Sequence, residues 1–266
     1  MLIAAGYYGV AQRIDWWLYH FFSGRQQRDI AIVEQRIMRS GLPFQSLGRV
    51  VYDGVQWPLD AVILKKPVAR RQACIFAGVH GNEPAGTEAA LTLIDDLARD
   101  SLLYPSWNFV IVPVANPWGW AHDLRHNGDN LDIARQFHRA DTGETALIKK
   151  LLAREHCDLL VDLHEDRLES GLYMLTYENP RLERIRAITR EIEATGVPLK
   201  SSAPGGIHHV REAEFDTVRS TTLSLYARQH GTAQSHIVET PARLPMPTRV
   251  RLHRQVLARL LATLDP

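Results

Sequence analysis

Cysteine is nearly absent: Cys74 and Cys157 are the only two in 266 residues. Each sits in or beside an apolar run, so no disulfide framework is indicated. The expectation is two buried free thiols, in keeping with a reducing compartment. Charge of one sign is also missing. Lys and Arg total 31 against 30 Asp and Glu, a formal net charge of +1. There is thus no basic surplus to suit nucleic acid or an acidic membrane surface, and no acidic tail. No window approaches the uncharged length needed to span a bilayer. The opening residues, Met-Leu-Ile-Ala-Ala-Gly, meet Arg13 and Asp15 without a basic n-region or a long apolar core. No signal peptide is read there, and a cytoplasmic location is the expectation. Internal repeats, low-complexity tracts and a dividing linker are lacking too.

What remains is ordinary for a globular chain: 45% apolar and 23% charged residues, enough length for one large core. Residues 7 to 40 have helical spacing in both halves. Their aromatic cluster (Trp16, Trp17, Phe21 and Phe22) is expected to pack on the domain or on a second subunit, because its polar face is not rich in Lys. Arg49 to Tyr52 and Trp57 to Lys65 read as a strand pair turning at Asp53-Gly54. From Gln72 onward strands and helices alternate. Strands are expected at Ala73 to Val79, Phe109 to Val114, Leu159 to Leu163, Gly171 to Thr176 and Ser235 to Val238. Helices are expected at Thr87 to Leu97, Glu144 to Ala153, Arg181 to Ala194, Leu223 to Gln229 and Pro247 to Leu264. Asn116 to Phe137 and Ser201 to His209 read as loops. The pattern predicts an α/β fold: a single domain with a mostly parallel mixed sheet, helices on both faces, and an N-terminal helical extension. The extension is taken as residues 1–48 and the catalytic domain as 49–266.

Four predicted strand ends deliver polar groups. The first gives His80 and Glu83, just before Pro84 opens a helix. The second ends at Asn116-Pro117-Trp118-Gly119 and leads into a loop with Arg125, Asn127, Asp132 and Arg135. The third ends in Asp162-Leu163-His164-Glu165, where alternation puts Asp162 and His164 on one face. The last ends in Glu239-Thr240-Pro241. His-x-x-Glu alone arises often by chance. A Glu in a first helical turn is also explained by the helix dipole, and a Glu before Thr-Pro by capping. Four ends of one sheet, each carrying His, Glu or Arg, call for a site, because ligands bind at the carboxyl ends of strands in open α/β sheets.

The ordered set His80-Gly81-Asn82-Glu83, Asn116-Pro-x-Gly, Arg125-x-Asn127, Asp132-x-Ala134-Arg135 and Asp162-x-His164 resembles the zinc carboxypeptidase superfamily, which includes the succinylglutamate desuccinylase and aspartoacylase group. The resemblance runs from about residue 49 to 265. It implies that His80, Glu83 and His164 hold one Zn²⁺ per chain with a fourth position open. It implies that Glu239 is the general base, moving a proton from water to the leaving amine. Arg125 would face the developing oxyanion, and Arg135 would grip a substrate carboxylate with its planar fork. Asp132 would orient the first histidine. The chain departs from the family at Ala134, where an Asn donor is usual; either Asn127 or Asn130 would compensate, or the substrate would be held differently. The family's mobile Tyr is not located, Tyr173 and Tyr226 being candidates by residue type. His208 and His209 would line the mouth from a loop.

The function this implies is hydrolysis of an amide bond next to a carboxylate, as a metallocarboxypeptidase on short peptides. A deacylase of N-acyl amino acids is the alternative within the class. A non-catalytic binding protein on the same scaffold, using the aromatic N-terminal segment as an interface, is the alternative outside it. The partners expected are a small peptide or N-acyl amino acid and, through the N-terminal aromatics, a second copy of the chain.

Overall fold

A computed structural model describes residues 27–138, 143–177, 181–210 and 221–264. The aromatic cluster at 16–22 lies outside them. In chain order the elements are α1 (Ile30–Ser40), β1 (Phe44–Tyr52), β2 (Val55–Leu64), β3 (Arg71–Ala77), α2 (Pro84–Arg99), β4 (Trp107–Val112), α3 (Pro117–His122), α4 (Gly143–Arg154), β5 (Leu159–Asp166), β6 (Tyr173–Tyr177), α5 (Leu182–Glu193), β7 (Ile207–Val210), α6 (Leu223–Gln229), β8 (Gln234–Pro241) and α7 (Met246–Leu264). The eight strands form one sheet in the order β1-β2-β4-β3-β5-β8-β6-β7. The middle (β4, β3, β5, β8) is parallel. The antiparallel pairs are β1–β2, β2–β4 and β6–β8. This is the mixed, mostly parallel sheet that the alternation of elements predicts.

Strand alternation splits the core between the two faces. On β3, Ala73, Ile75 and Ala77 join the cluster containing Leu97, Ile188 and Leu260, packed under α1, α2, α5 and α7. Cys74 and Phe76 join the opposite cluster with Ile148, Leu151 and Leu223, packed under α4 and α6. The hairpin between β1 and β2 turns at Asp53-Gly54, with φ of 53° and 76°, the positive-φ pair of a type I′ turn. Val33 and Ile37 of α1 are buried in the first cluster, so α1 packs on the domain. β1 starts at Phe44, inside the stretch expected to be an extension.

Three expectations need correcting. Cys74 and Cys157 are not free thiols but a disulfide. Parallel pairing of β3 with β5 brings the α4–β5 connection against Cys74. The thiol argument for a reducing compartment goes with that pairing, since structural disulfides persist in oxidising ones. The stretch from Asn116 is not all loop: Asn116 accepts from the Gly119 amide and caps the short helix α3, a capping arrangement favoured by Asn and by Pro at the first helical position. His208 and His209 are not in a loop either. They sit on β7, paired with Leu175 and Thr176 at the sheet edge, with β6 and β8 between them and β5. Among the described residues no helix is long and apolar enough to cross a membrane.

Candidate metal centre

β3 has β4 on one side and β5 on the other. The chain therefore reverses its direction of sheet building at β3, and a crevice opens between the carboxyl ends of β3 and β5. His80 and Glu83 follow β3, and His164 lies near the end of β5. All three are at most 5% exposed. Glu83 occupies the N-cap of α2 yet makes no capping bond from its side chain. Its carboxylate turns to the two imidazoles instead: Oε1 is 2.7 Å from His80 Nδ1, and Oε2 is 2.8 Å from His164 Nδ1. The two Nδ1 atoms are 3.0 Å apart. The capping explanation of Glu83 thus loses to the ligand-like geometry.

The outer ring nitrogens face carboxylates. His80 Nε2 is 3.1 Å from Asp132 Oδ1, and His164 Nε2 is 3.0 Å from Asp162 Oδ2, the latter off hydrogen-bond alignment. Carboxylates at the outer nitrogens favour protons there, leaving both Nδ1 atoms as acceptors in the neutral rings. Two acceptor nitrogens and a carboxylate then converge with no donor among them, within 4.8 Å of one another. Such a set is stable around a cation. Tetrahedral Zn–N bonds of about 2.0–2.1 Å imply ligand separations of roughly 3.3 Å, close to what is seen, so the residues fit a zinc-sized ion. Burial opposes charge on His164, but Asp162 and Glu83 hold its pKa well above the usual histidine range. Burial likewise opposes ionisation of Glu83, yet His80 and His164 hold it well below the usual carboxylate range.

Two arginines flank the group. Arg125 bonds Asp132 Oδ2 through Nε at 3.2 Å and a terminal nitrogen at 3.0 Å, and reaches Glu83 Oε1 at 3.3 Å. Its side chain is still 40% exposed, so it presents positive charge beside the triad. Arg135 is more open, its Nε 3.6 Å from Asp132 Oδ2. Glu239 pairs directly with His164 across β5 and β8. It makes no hydrogen bond among the described residues. Burial and the nearby Glu83 and Asp166 charges raise its pKa, His164 and His80 lower it, and the balance stands at about 7.

The structure therefore brings His80, Glu83, His164, Arg125, Arg135, Asp132 and Glu239 to one edge. Asn127 is not brought there. It is 1% exposed, and its amide is spent on the frame: Nδ2 donates to Tyr52 and Glu144, and Oδ1 accepts from the amides of Asp129 and Leu131. Asn130 Oδ1 is engaged with His126. Ala134 is itself buried in the core beside Ile133 and Phe137. Tyr173 pairs with Glu239 in register and donates to Asp166, whereas Tyr226 stacks on His230 and packs by Phe137. Two residues were under-read from sequence. Asp162 is the carboxylate behind His164, which its place two residues upstream on the same face could have signalled. Glu165 is 4% exposed and accepts from the Ala85 amide.

The turn carrying His80 is pressed against α3. A Cβ on Gly81 would fall 1.9 Å from the Gly119 carbonyl carbon, and one on Gly119 would fall 2.6 Å from the His126 carbonyl oxygen. Arg28 crosses the joint, donating from one nitrogen to the carbonyls of both Gly81 and Trp120.

The family model of the succinylglutamate desuccinylase/aspartoacylase catalytic domain matches residues 69–240. Carboxypeptidase 2 of Trichophyton tonsurans is 32% identical over 107 residues, 38% of this chain and 20% of that protein's length. The chain thus spans about a fifth of the curated relatives that it matches. A Shewanella denitrificans structure assigned to the metallopeptidases superposes with a TM-score of 0.70 at 20% identity, covering 90% of this chain and 95% of its own. A Pseudomonas aeruginosa metallo-carboxypeptidase, in complex with (2-guanidinoethylmercapto)succinic acid, gives a TM-score of 0.66 at 19% identity, with coverage of 88% and 68%. At these identities the structural likeness establishes the fold alone.

Proposed function

Since the chain belongs to the succinylglutamate desuccinylase/aspartoacylase catalytic-domain family, we propose that it is a zinc-dependent hydrolase that cleaves an amide bond next to a free carboxylate. The observation that carries this reading is the convergence of three acceptor groups, His80 Nδ1, the Glu83 carboxylate and His164 Nδ1, on one buried point with no donor among them. These residues would hold the ion. When bound, zinc supplies Lewis acidity and lowers the pKa of water to near neutrality.

The remaining steps fall to the chain's own side chains. Glu239 makes no hydrogen bond among the described residues and is poised at about 7. It accepts a proton from the attacking water and returns it to the departing nitrogen, which needs a group that holds and releases a proton near neutral pH. Arg125 sets a fixed positive charge beside Glu83, where oxyanion charge develops. Arg135, with its side chain 56% exposed, meets the substrate carboxylate in a two-pronged grip. Asp132 and Asp162 keep the imidazoles turned with Nδ1 inward.

For the substrate, we take a short peptide cleaved at its C-terminal residue as the first reading, in line with the carboxypeptidase relatives. The family model favours a second, an N-acyl amino acid. Both offer the carboxylate that Arg135 would hold. Zinc-loaded protein assayed on dansylated peptides and on N-succinyl and N-acetyl amino acids separates them. Turnover should vanish with chelator and return with zinc. Turnover that survives complete chelation, with no metal left by elemental analysis, overturns the reading.

A further inference from the structure

Glu83 is the N-cap of α2, yet its carboxylate is spent on the two imidazoles rather than on the helix. A helix begins with amides that have no partner inside it. Pro84 brings no N–H, so the Ala85 amide is the first of these in α2. Its partner comes from another element: Glu165 of β5 accepts it through Oε1 at 2.7 Å. The same residue reaches Glu83 by its backbone, its amide donating to Glu83 Oε2 at 3.1 Å. Gly86 lets the helix come this close, since a Cβ there would fall 2.7 Å from the Leu163 carbonyl oxygen. The Glu165 side chain is only 1% exposed, and it lies beside the like charge of Glu83. A buried carboxylate in that position needs an opposite charge. Arg249 of α7 supplies it, bonding Glu165 Oε2 through a terminal nitrogen. One turn further along α7, His253 bonds Thr240, the residue paired with Glu165 on β8.

We propose that Glu165 and Arg249 are positioning residues for the metal ligand Glu83. A carboxylate at a helix N-terminus is drawn to the free amides and the positive end of the helix. With Glu165 in that role, α2 is capped from a neighbouring strand, and Glu83 is left free to face His80 and His164. Arg249 acts through Glu165, holding the capping carboxylate in place against the repulsion of Glu83. Neither side chain is among the converging ligand atoms. The proposal rests on the metal reading of His80, Glu83 and His164, and it gives α7 a part in that site.

The test is the zinc affinity of the full chain, measured by competition with a chromogenic chelator. Glu165→Ala should weaken it about 10–100-fold, the scale for groups that orient metal ligands. Arg249→Ala should weaken it by less, and Arg249→Lys should recover part of that loss. The double variant should bind zinc as Glu165→Ala does, because Arg249 acts through Glu165. Tyr52→Phe loses a buried hydrogen bond away from the ligands and should leave the affinity at the parent value. In the chelator-treated chain, hydrogen exchange at the Ala85 amide should quicken in Glu165→Ala, a readout that needs no metal. Parent affinity in folded Glu165→Ala overturns the proposal, as does a loss that Tyr52→Phe matches. If Glu165→Ala does not fold, Glu165→Gln and Arg249→Ala decide it, and parent affinity in both overturns it. A parent chain that takes up no zinc sinks the metal reading itself. That outcome is distinct from a parent that binds zinc and variants that bind it equally.

Discussion

Two buried polar clusters sit close together in this fold, each built on a glutamate, and they differ in one respect. In the first, Tyr52 donates to Glu144 at 2.7 Å, Asn127 donates to both at 2.9 and 3.1 Å, and Asn127 Oδ1 takes two backbone amides. Every donor there has an acceptor. The cluster fastens β1 and the first turn of α4 to the loop that bears Arg125 and Asp132. In the second, His80, Glu83 and His164 bring acceptors to acceptors, and Glu239 beside them bonds to nothing among the described residues. Burial raises the pKa of Glu144 and of Glu239 alike. The balance of donors and acceptors, not burial or titration, separates a structural cluster from a set of groups that could hold a metal ion.

Substitution breaks the comparison most sharply at the metal. His80→Ala or His164→Ala should reduce bound zinc from one per chain to near none by elemental analysis, whereas Tyr52→Phe should leave it at one. Stoichiometric zinc in either histidine variant removes that residue as a ligand. Next comes Glu239→Gln, which should keep the metal and lose roughly 10²–10⁴ in kcat, the contribution of a general base; turnover at the parent rate would assign the proton transfer elsewhere. Tyr52→Phe tests the satisfied cluster. It removes a partner from both Glu144 and Asn127, and chemical denaturation should show a loss of about 1–3 kcal/mol at unchanged zinc content.

The smallest effect per step is in pH. His236 and His253 are buried, each with one ring nitrogen unpartnered, and burial lowers both to about 3. The unfolded chain, with histidines near 6.5, binds more protons between those values. Stability should therefore be full above about pH 6.5 and fall toward 3, each histidine contributing about 1.4 kcal/mol per pH unit. His236→Asn should flatten the slope by one histidine's share, read from denaturation midpoints across that range.

The legibility of the sequence follows the range of the forces involved. Strand and helix positions rest on local periodicity, so α6 falls at Leu223–Gln229 as the spacing predicts. The order His80, Glu83, His164, Glu239 was readable because each sits at the end of an apolar run. Asn127 was misplaced because its fate depends on Tyr52 and Glu144, far away in the chain. Cys74 and Cys157 failed for the same reason, since their pairing needs the β3–β5 register that neither neighbourhood reveals. The strand β7 was hidden by Pro204-Gly205-Gly206, which punctuates the chain just before it.

Gly81 and Gly119 make a single mechanical part of two motifs that look independent in the sequence. With 1.9 Å between a would-be Gly81 side chain and the Gly119 backbone, Gly81 cannot accept even a methyl group unless the α3 turn retreats. The His-Gly-Asn-Glu and Asn-Pro-Trp-Gly motifs are therefore bound to change together or not at all. A designer who wished to move the metal would have to move the α3 turn with it.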